Sequence, residues 1–193
     1  MENSQAGQEG QVHPFDEWRG ASGIFVLVEL RGAIGERVHA LQKRYDPRLA
    51  AFALPHLTLI GSSGTGPIAA DTTVATLRSV LEPIARDTAP IVLRFLPPVR
   101  FMQSNTVVLP LDPHSPLRTL HERIKKSGLT FGQSKHAFTP HVTLNLYRTL
   151  TTPQFRELLA VQVTEPITVD HLLVSLTREP QTPKSLFELL LGG

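Results

Sequence analysis

The first regular pattern in the chain is the apolar, β-branched run at residues 23–30 (GIFVLVEL), closed by Gly32, which predicts a buried strand. The period then changes: Ile34, Val38, Leu41 and Tyr45 recur at i, i+4, i+7 and i+11, one face of a helix that should stop before Pro47. Leu57 to Ile60 predicts a short strand that ends in the glycine-spaced loop 61–66. Val74, Leu77, Val80, Leu81 and Ile84 predict a second amphipathic helix, with Asp71 or Thr72 as N-cap. Two extended runs follow, 91–102, interrupted by Pro97-Pro98, and 106–111, joined through Ser104-Asn105 as a hairpin. Leu117, Leu120 and Ile124 mark a third helix over 115–127 with Gly128 as C-cap. A strand at 141–147, a helix at 153–161 and strands at 167–177 and 185–191 complete the chain. About seven strands and four helices, mixed along the chain with hairpin signals between neighbours, predict an α+β fold with mainly antiparallel sheets.

Composition narrows the chemistry. The 193 residues contain no cysteine, which removes disulfides, thiolate metal sites and a cysteine nucleophile together. A formal net charge of +2 excludes a protein that coats nucleic acid by charge alone and leaves a mild preference for anionic partners. Residues 1–22 are polar and aperiodic, a flexible leader with Trp18 as its one anchor candidate, and 23–193 is read as a single bilobed domain. The early apolar run is far shorter than a membrane span of about 20 residues, so the expectation is a soluble, cytoplasmic monomer.

One pattern occurs twice: Pro55-His56-Leu57-Thr58-Leu59 and Pro140-His141-Val142-Thr143-Leu144. Each copy starts a strand after a proline, where a missing N–H is tolerated. The period of two puts His56 with Thr58, and His141 with Thr143, on the face opposite the apolar positions. A single copy would read as an ordinary strand start, but two copies with identical Pro, His, Thr and Leu positions indicate an internal duplication. If two similar lobes pack about a pseudo-twofold axis, the polar pairs can meet across a groove, giving two imidazoles and two hydroxyls around one phosphodiester. Hydrolysis without metal needs a base, an acid and donors to the non-bridging oxygens. Histidine, with an unperturbed pKa of about 6.5, can serve as either base or acid, and threonine hydroxyls can donate to phosphate oxygens. A metal site is not expected, because neither motif adds a nearby Asp, Glu or Cys.

These two motifs, their spacing, the opening strand and helix, and the terminal apolar strand Leu186-Phe187-Glu188-Leu189 resemble the 2H phosphoesterases. The similarity is greatest to the bacterial 2′-5′ RNA ligase-like branch, the RNA 2′,3′-cyclic phosphodiesterases, and it covers most of 23–192. The resemblance implies a bilobed, pseudo-twofold α+β fold and hydrolysis of a 2′,3′-cyclic phosphate on an RNA end or nucleotide to the 2′-phosphate. Weak reverse 2′-5′ ligation is implied with it, and no cofactor is. It further implies that His56 is the proton donor, His141 the proton acceptor, and Thr58 and Thr143 the phosphate holders. Relatives carry a basic residue shortly after the second motif. Here Asn145-Leu146-Tyr147 intervene, and Arg148 is the candidate for that role. A 2′,5′-oligoadenylate phosphodiesterase and a non-catalytic RNA-end or nucleotide-binding module are the rival readings.

Phe138 and Tyr147, flanking the second motif strand, are candidates for base stacking, against which stands ordinary core packing. The cluster Arg118, Arg123, Lys125 and Lys126 could steer RNA or be a solvated helix face. His39, His114, His121, His136 and His171 have no threonine partner and read as ordinary surface or core residues.

Overall fold

The computed structural model describes residues 22–101, 104–178 and 183–193, so the expected leader at 1–22 lies almost wholly outside the described residues. Nine strands and five helices occur among them. The first half of the sheet uses β1 (Ser22–Glu29), β2 (His56–Ile60), β8 (His171–Arg178) and β9 (Lys184–Leu190). The second uses β3 (Ile91–Phe95), β4 (Val99–Arg100), β5 (Val107–Asp112), β6 (His141–Asn145) and β7 (Ile167–Val169). The order is β7-β3-β5-β6-β2-β1-β8-β9 with β4 beside β5, and every pairing is antiparallel. From the centre outwards the halves match: β6-β5-β3-β7 on one side, β2-β1-β8-β9 on the other.

Each half repeats one unit, in which a strand leaves the sheet, passes through helix and returns as its own antiparallel neighbour. In the first unit β1 leads through α1 (Gly32–Tyr45) and α2 (Pro47–Phe52) to β2, and in the second β5 leads through α4 (Ser115–Lys125) to β6. The helices are exchanged between halves, α1 packing on β6 and α4 on β2. Val38 and Tyr45 of α1, and Leu117, Leu120 and Ile124 of α4, are buried, as their spacing predicts. They enter one continuous core with Leu57, Leu59, Val142 and Leu144 from beneath the two motif strands. Helices α3 (Val74–Arg86) and α5 (Thr152–Leu159) lie outside this repeat, α3 packing on β9 and α4. Among the described residues no helix is long and apolar enough to cross a membrane.

Several boundaries differ from the sequence reading for local reasons. Pro47 starts α2 instead of only ending α1, because a proline at the first helical position gives up an N–H that the helix does not use. Asp46 caps this turn, its Oδ1 accepting from the Leu49 N–H at 3.0 Å. The cap of α3 is Thr73, which accepts from Thr76 N–H, and α5 opens with a capping box between Thr151 and Gln154. The cap residue of α4 is Lys126, with Gly128 two residues beyond it at φ +86°. The run 91–102 divides at Leu96-Pro97-Pro98 into β3 and β4, and the run 167–177 divides at Asp170 into β7 and β8. β6 stops at Asn145, before the expected end at 147, because the chain turns there around Asp46.

Asp46 is the buried joint between the halves. While one oxygen caps α2, Oδ2 accepts from the backbone N–H groups of Leu146 at 2.8 Å and Tyr147 at 2.7 Å, so the crossover of the first half fixes the end of the second half's motif strand. An Asp46→Ala change should cost about 2–4 kcal/mol, since it strands three backbone donors at a buried site. Urea unfolding should show a lower midpoint with an unchanged slope, and a midpoint equal to wild type would contradict the assignment.

Candidate active site

The two motif strands are direct neighbours, with Leu57 opposite Val142 in the β2–β6 pairing. In an antiparallel pair this register places His56 opposite Thr143 and Thr58 opposite His141. The leucine and valine point into the core and are fully buried, while all four polar residues are only partly buried on the other face. The expected meeting of two faces across a groove therefore takes another form. The two pairs lie side by side on one sheet face, in a two-by-two array with each histidine beside the other copy's threonine. Directly opposed side chains in such a pair have Cβ atoms about 4.5–5.5 Å apart, a spacing on the scale of a phosphate group.

The copies also share their irregularity. In β1–β2 the register passes from Leu27↔Thr58 to Val26↔Ile60, leaving Leu59 as the extra residue. In β5–β6 it passes from Val108↔Thr143 to Val107↔Asn145, leaving Leu144. A bulge at the same motif position in both strands explains the common burial pattern, in which the last two residues of each strand are both buried. The exchanged helices cover the carbonyls beside these bulges. Gln42 Nε2 donates to Thr143 O at 2.8 Å, and His121 Nδ1 donates to Leu59 O at 2.8 Å. His121 is thus a structural core histidine, stacked on Phe138 with ring centroids 4.1 Å apart. Burial lowers its pKa, against the opposing hydrogen bond to Leu59. Gly64, at φ +77°, approaches so closely that a Cβ there would stand 2.5 Å from His121 Nε2.

The catalytic candidates are held by identical tethers. Nδ1 of His56 is 2.8 Å from the carbonyl oxygen of Leu54, and Nδ1 of His141 is 2.6 Å from that of Thr139, each two residues back across the motif proline. A carbonyl only accepts, so each Nδ1 carries hydrogen and each Nε2 is the nitrogen available for proton transfer. Burial pushes both imidazoles below the usual histidine range. For His56 the Leu54 carbonyl and the Glu29 carboxylate work in the opposite direction. For His141 the Thr139 carbonyl also opposes, but the charge of His56 lowers it further, which places the two rings within electrostatic reach of each other. The Phe101 ring lies against His141, centroids 5.0 Å apart and planes 35° apart.

The remaining candidates separate from this array. Tyr147 sits beyond the end of β6, edge-on to Phe52 at 6.4 Å and under the Arg48 guanidinium at 4.7 Å. Arg148 is exposed in the turn after it, its carbonyl accepting from Asn145 Nδ2 at 2.9 Å. Phe138 is core, not a stacking platform. Of the basic cluster at α4, Arg118 reaches Phe138 O, Arg123 reaches Thr88 Oγ1, Lys125 pairs with Glu122, and Lys126 is the C-cap residue. Sequence reasoning missed Asp46, Phe101 and Glu29. Of these, Glu29 left a visible signal, being the one charged side chain in the run 23–30.

The 2′-5′ RNA ligase superfamily model matches residues 30–179, and the chain belongs to this family of 2H phosphoesterases. A protein of Geobacillus sp. (strain WCH70) with a provisional phosphoesterase name is 30% identical over 168 residues, covering 83% of this chain and 91% of its own. A similarly named protein of Oceanobacillus iheyensis is 32% identical over 112 residues, 58% of this chain and 62% of its own, so here the match spans less than two thirds of the relative. The fold is also that of a crystallised phosphoesterase (TM-score 0.60, 16% identity, 89% of this chain and 99% of that one). It is shared by E. coli LigT in complex with NADP+ (TM-score 0.57, 16% identity, 89% and 98%).

The paired carbonyl tethers have a spectroscopic consequence. In long-range 1H–15N spectra at pH 8, both His56 and His141 should show the Nδ1–H tautomer, which is the minority form of free imidazole side chains in water. An Nε2–H pattern at either residue would remove that nitrogen as a proton acceptor.

Proposed function

We propose that the protein hydrolyses 2′,3′-cyclic phosphates on RNA ends or nucleotides to 2′-phosphates without a metal ion. The observation that carries this reading is the β2–β6 register, which puts two tethered imidazoles and two threonines side by side on one sheet face, where directly opposed Cβ atoms stand about 4.5–5.5 Å apart. The carbonyl tethers occupy Nδ1 of each ring, so Nε2 of both histidines is the nitrogen proposed to meet a ligand, beside the two threonine hydroxyls. The E. coli LigT complexes with NADP+, 3′-AMP and ATP support a nucleotide as the ligand class.

In the proposed reaction Nε2 of neutral His141 takes a proton from water as its oxygen bonds to phosphorus. The bond from phosphorus to O3′ breaks, and Nε2–H of protonated His56 delivers its proton to that oxygen. The products are a 3′-hydroxyl and a 2′-phosphate, and the two histidines end with their protonation states exchanged. Thr58 and Thr143 donate to the non-bridging oxygens as charge builds on them. With a 5′-hydroxyl in place of water as the attacking group, the same displacement of O3′ would give weak 2′-5′ joining, the reverse of 2′-5′ cleavage to the cyclic phosphate. Tyr147 and Arg148, beyond the end of β6, are proposed to contact the substrate outside the scissile phosphate.

Turnover of a 2′,3′-cyclic mononucleotide should persist in EDTA. His56→Ala and His141→Ala should each lower kcat/KM by roughly 10²–10⁴, the usual range for general acid–base groups, with a double variant less than additive. With an activated leaving group that needs no proton, only the His56 variant should recover. Recovery of the His141 variant instead would reverse the donor and acceptor roles, and binding without turnover by the wild type would favour the non-catalytic module.

The pH profile follows from the environment of the pair. Both imidazoles titrate below the usual histidine range, so the bell-shaped kcat/KM profile of the free enzyme should be centred on the acid side of pH 6.5, each limb belonging to the coupled pair. The acid limb is loss of the neutral base, and the alkaline limb is loss of the protonated acid. A maximum above pH 7.5 would contradict it.

A further inference from the structure

The duplicated array is symmetric in its histidines, threonines, bulges and carbonyl tethers, yet hydrolysis needs one imidazole protonated and the other neutral. Nothing in the repeated motif makes that choice. The flanking strands do differ: β1 places Glu29 directly opposite His56, and β5 places Pro110 directly opposite His141. Direct opposition puts the Glu29 and His56 side chains on the same face of the sheet, and Glu29 is partly exposed there.

We propose that Glu29 is a positioning residue that breaks the pseudo-twofold symmetry, holding the proton on His56 and so making it the general acid. The charged groups around His56 are consistent with this. From β1 it meets the Glu29 carboxylate, and from β6 it meets His141, whose own protonation it opposes. Arg31, the residue before α1, is the cation nearest in sequence: its two-pronged ion pair is with Glu188 on β9, at 3.0 and 2.5 Å, and it also feels the Glu29 carboxylate, so Glu29 acts on both Arg31 and His56. Around His141 the opposed residue is a proline and the stacked ring is Phe101, neither of which stabilises a cation in the way a carboxylate does. Proton occupancy is therefore biased toward the first copy, and the charge held there keeps the second copy neutral, ready to accept. Both consequences come from one side chain.

For its effect on turnover the proposal rests on the hydrolysis reading above, but its physical basis can be measured without any substrate. Imidazole titrations by NMR on the full chain should give His56 a higher midpoint than His141. In Glu29→Gln the His56 midpoint should fall, while that of His141 stays or rises, because the neighbouring charge disappears at lower pH. The alkaline limb of kcat/KM should move to lower pH, costing about three- to tenfold in rate on that limb. Glu29→Asp should restore most of both effects, and Pro110→Glu should raise the His141 midpoint.

Midpoints unmoved in Glu29→Gln, or both falling together as after a general disturbance, would overturn the proposal even if the wild type turns over cyclic nucleotides. A selective fall of His56 in a protein that hydrolyses no cyclic nucleotide would uphold the proton bias and reject the hydrolysis reading.

Discussion

The site depends on the pairing of β2 with β6 at the centre of the sheet. That contact joins the two halves edge to edge, and because side chains alternate along a strand, a slip of one residue would turn one His-Thr pair into the core and bring its leucines out. The register is therefore enforced by burial. Leu57, Leu59, Val142 and Leu144 are all fully buried, and exposing them would cost several kcal/mol at about 25 cal/mol per Å² of apolar surface. Asp46 adds a directional lock where hydrophobic contact supplies none, tying α2 to the end of β6. Stability and catalytic geometry are in this sense one constraint.

The exchange of helices between halves serves the same junction. Each bulge leaves backbone carbonyls beside the central strands without regular ladder partners, and a buried polar side chain from the opposite unit, Gln42 or His121, supplies a donor there. The halves thus interlock through hydrogen bonds as well as apolar contact, and neither motif strand is completed by its own unit alone. Duplication makes such an interlock economical, since one solution serves twice. It also yields a site that is too symmetric for acid–base chemistry unless a side chain outside the motif distinguishes the copies.

Much of this was legible in the sequence. The α+β class, the antiparallel pairing, four of the five helices and the two partly buried His-Thr pairs all follow from periodicity, because core burial is what periodicity records. What was not legible came from interactions that join distant segments. Asp46 reads as an ordinary turn residue, and only the fold shows that residues 100 positions away donate to it. Pro47 reads as a stop signal and also serves as a start. Phe101 and Glu29 lie outside any motif, and their relation to the histidines comes from sheet register, which local patterns do not specify. Tyr147 and Arg148 were singled out by proximity in sequence to the second motif. The turn around Asp46 places them beyond the end of β6, a position set by a contact between distant segments and not by strand alternation.

The central claim is that the two copies act on one phosphate. Its most direct test is a crystal structure of the protein with a 2′-nucleotide, the proposed product, bound at saturating concentration. The account predicts a single phosphate with oxygens within hydrogen-bond distance of Nε2 of both His56 and His141 and of the hydroxyls of both Thr58 and Thr143. A phosphate held by one copy alone, or bound away from the β2–β6 face, would contradict it.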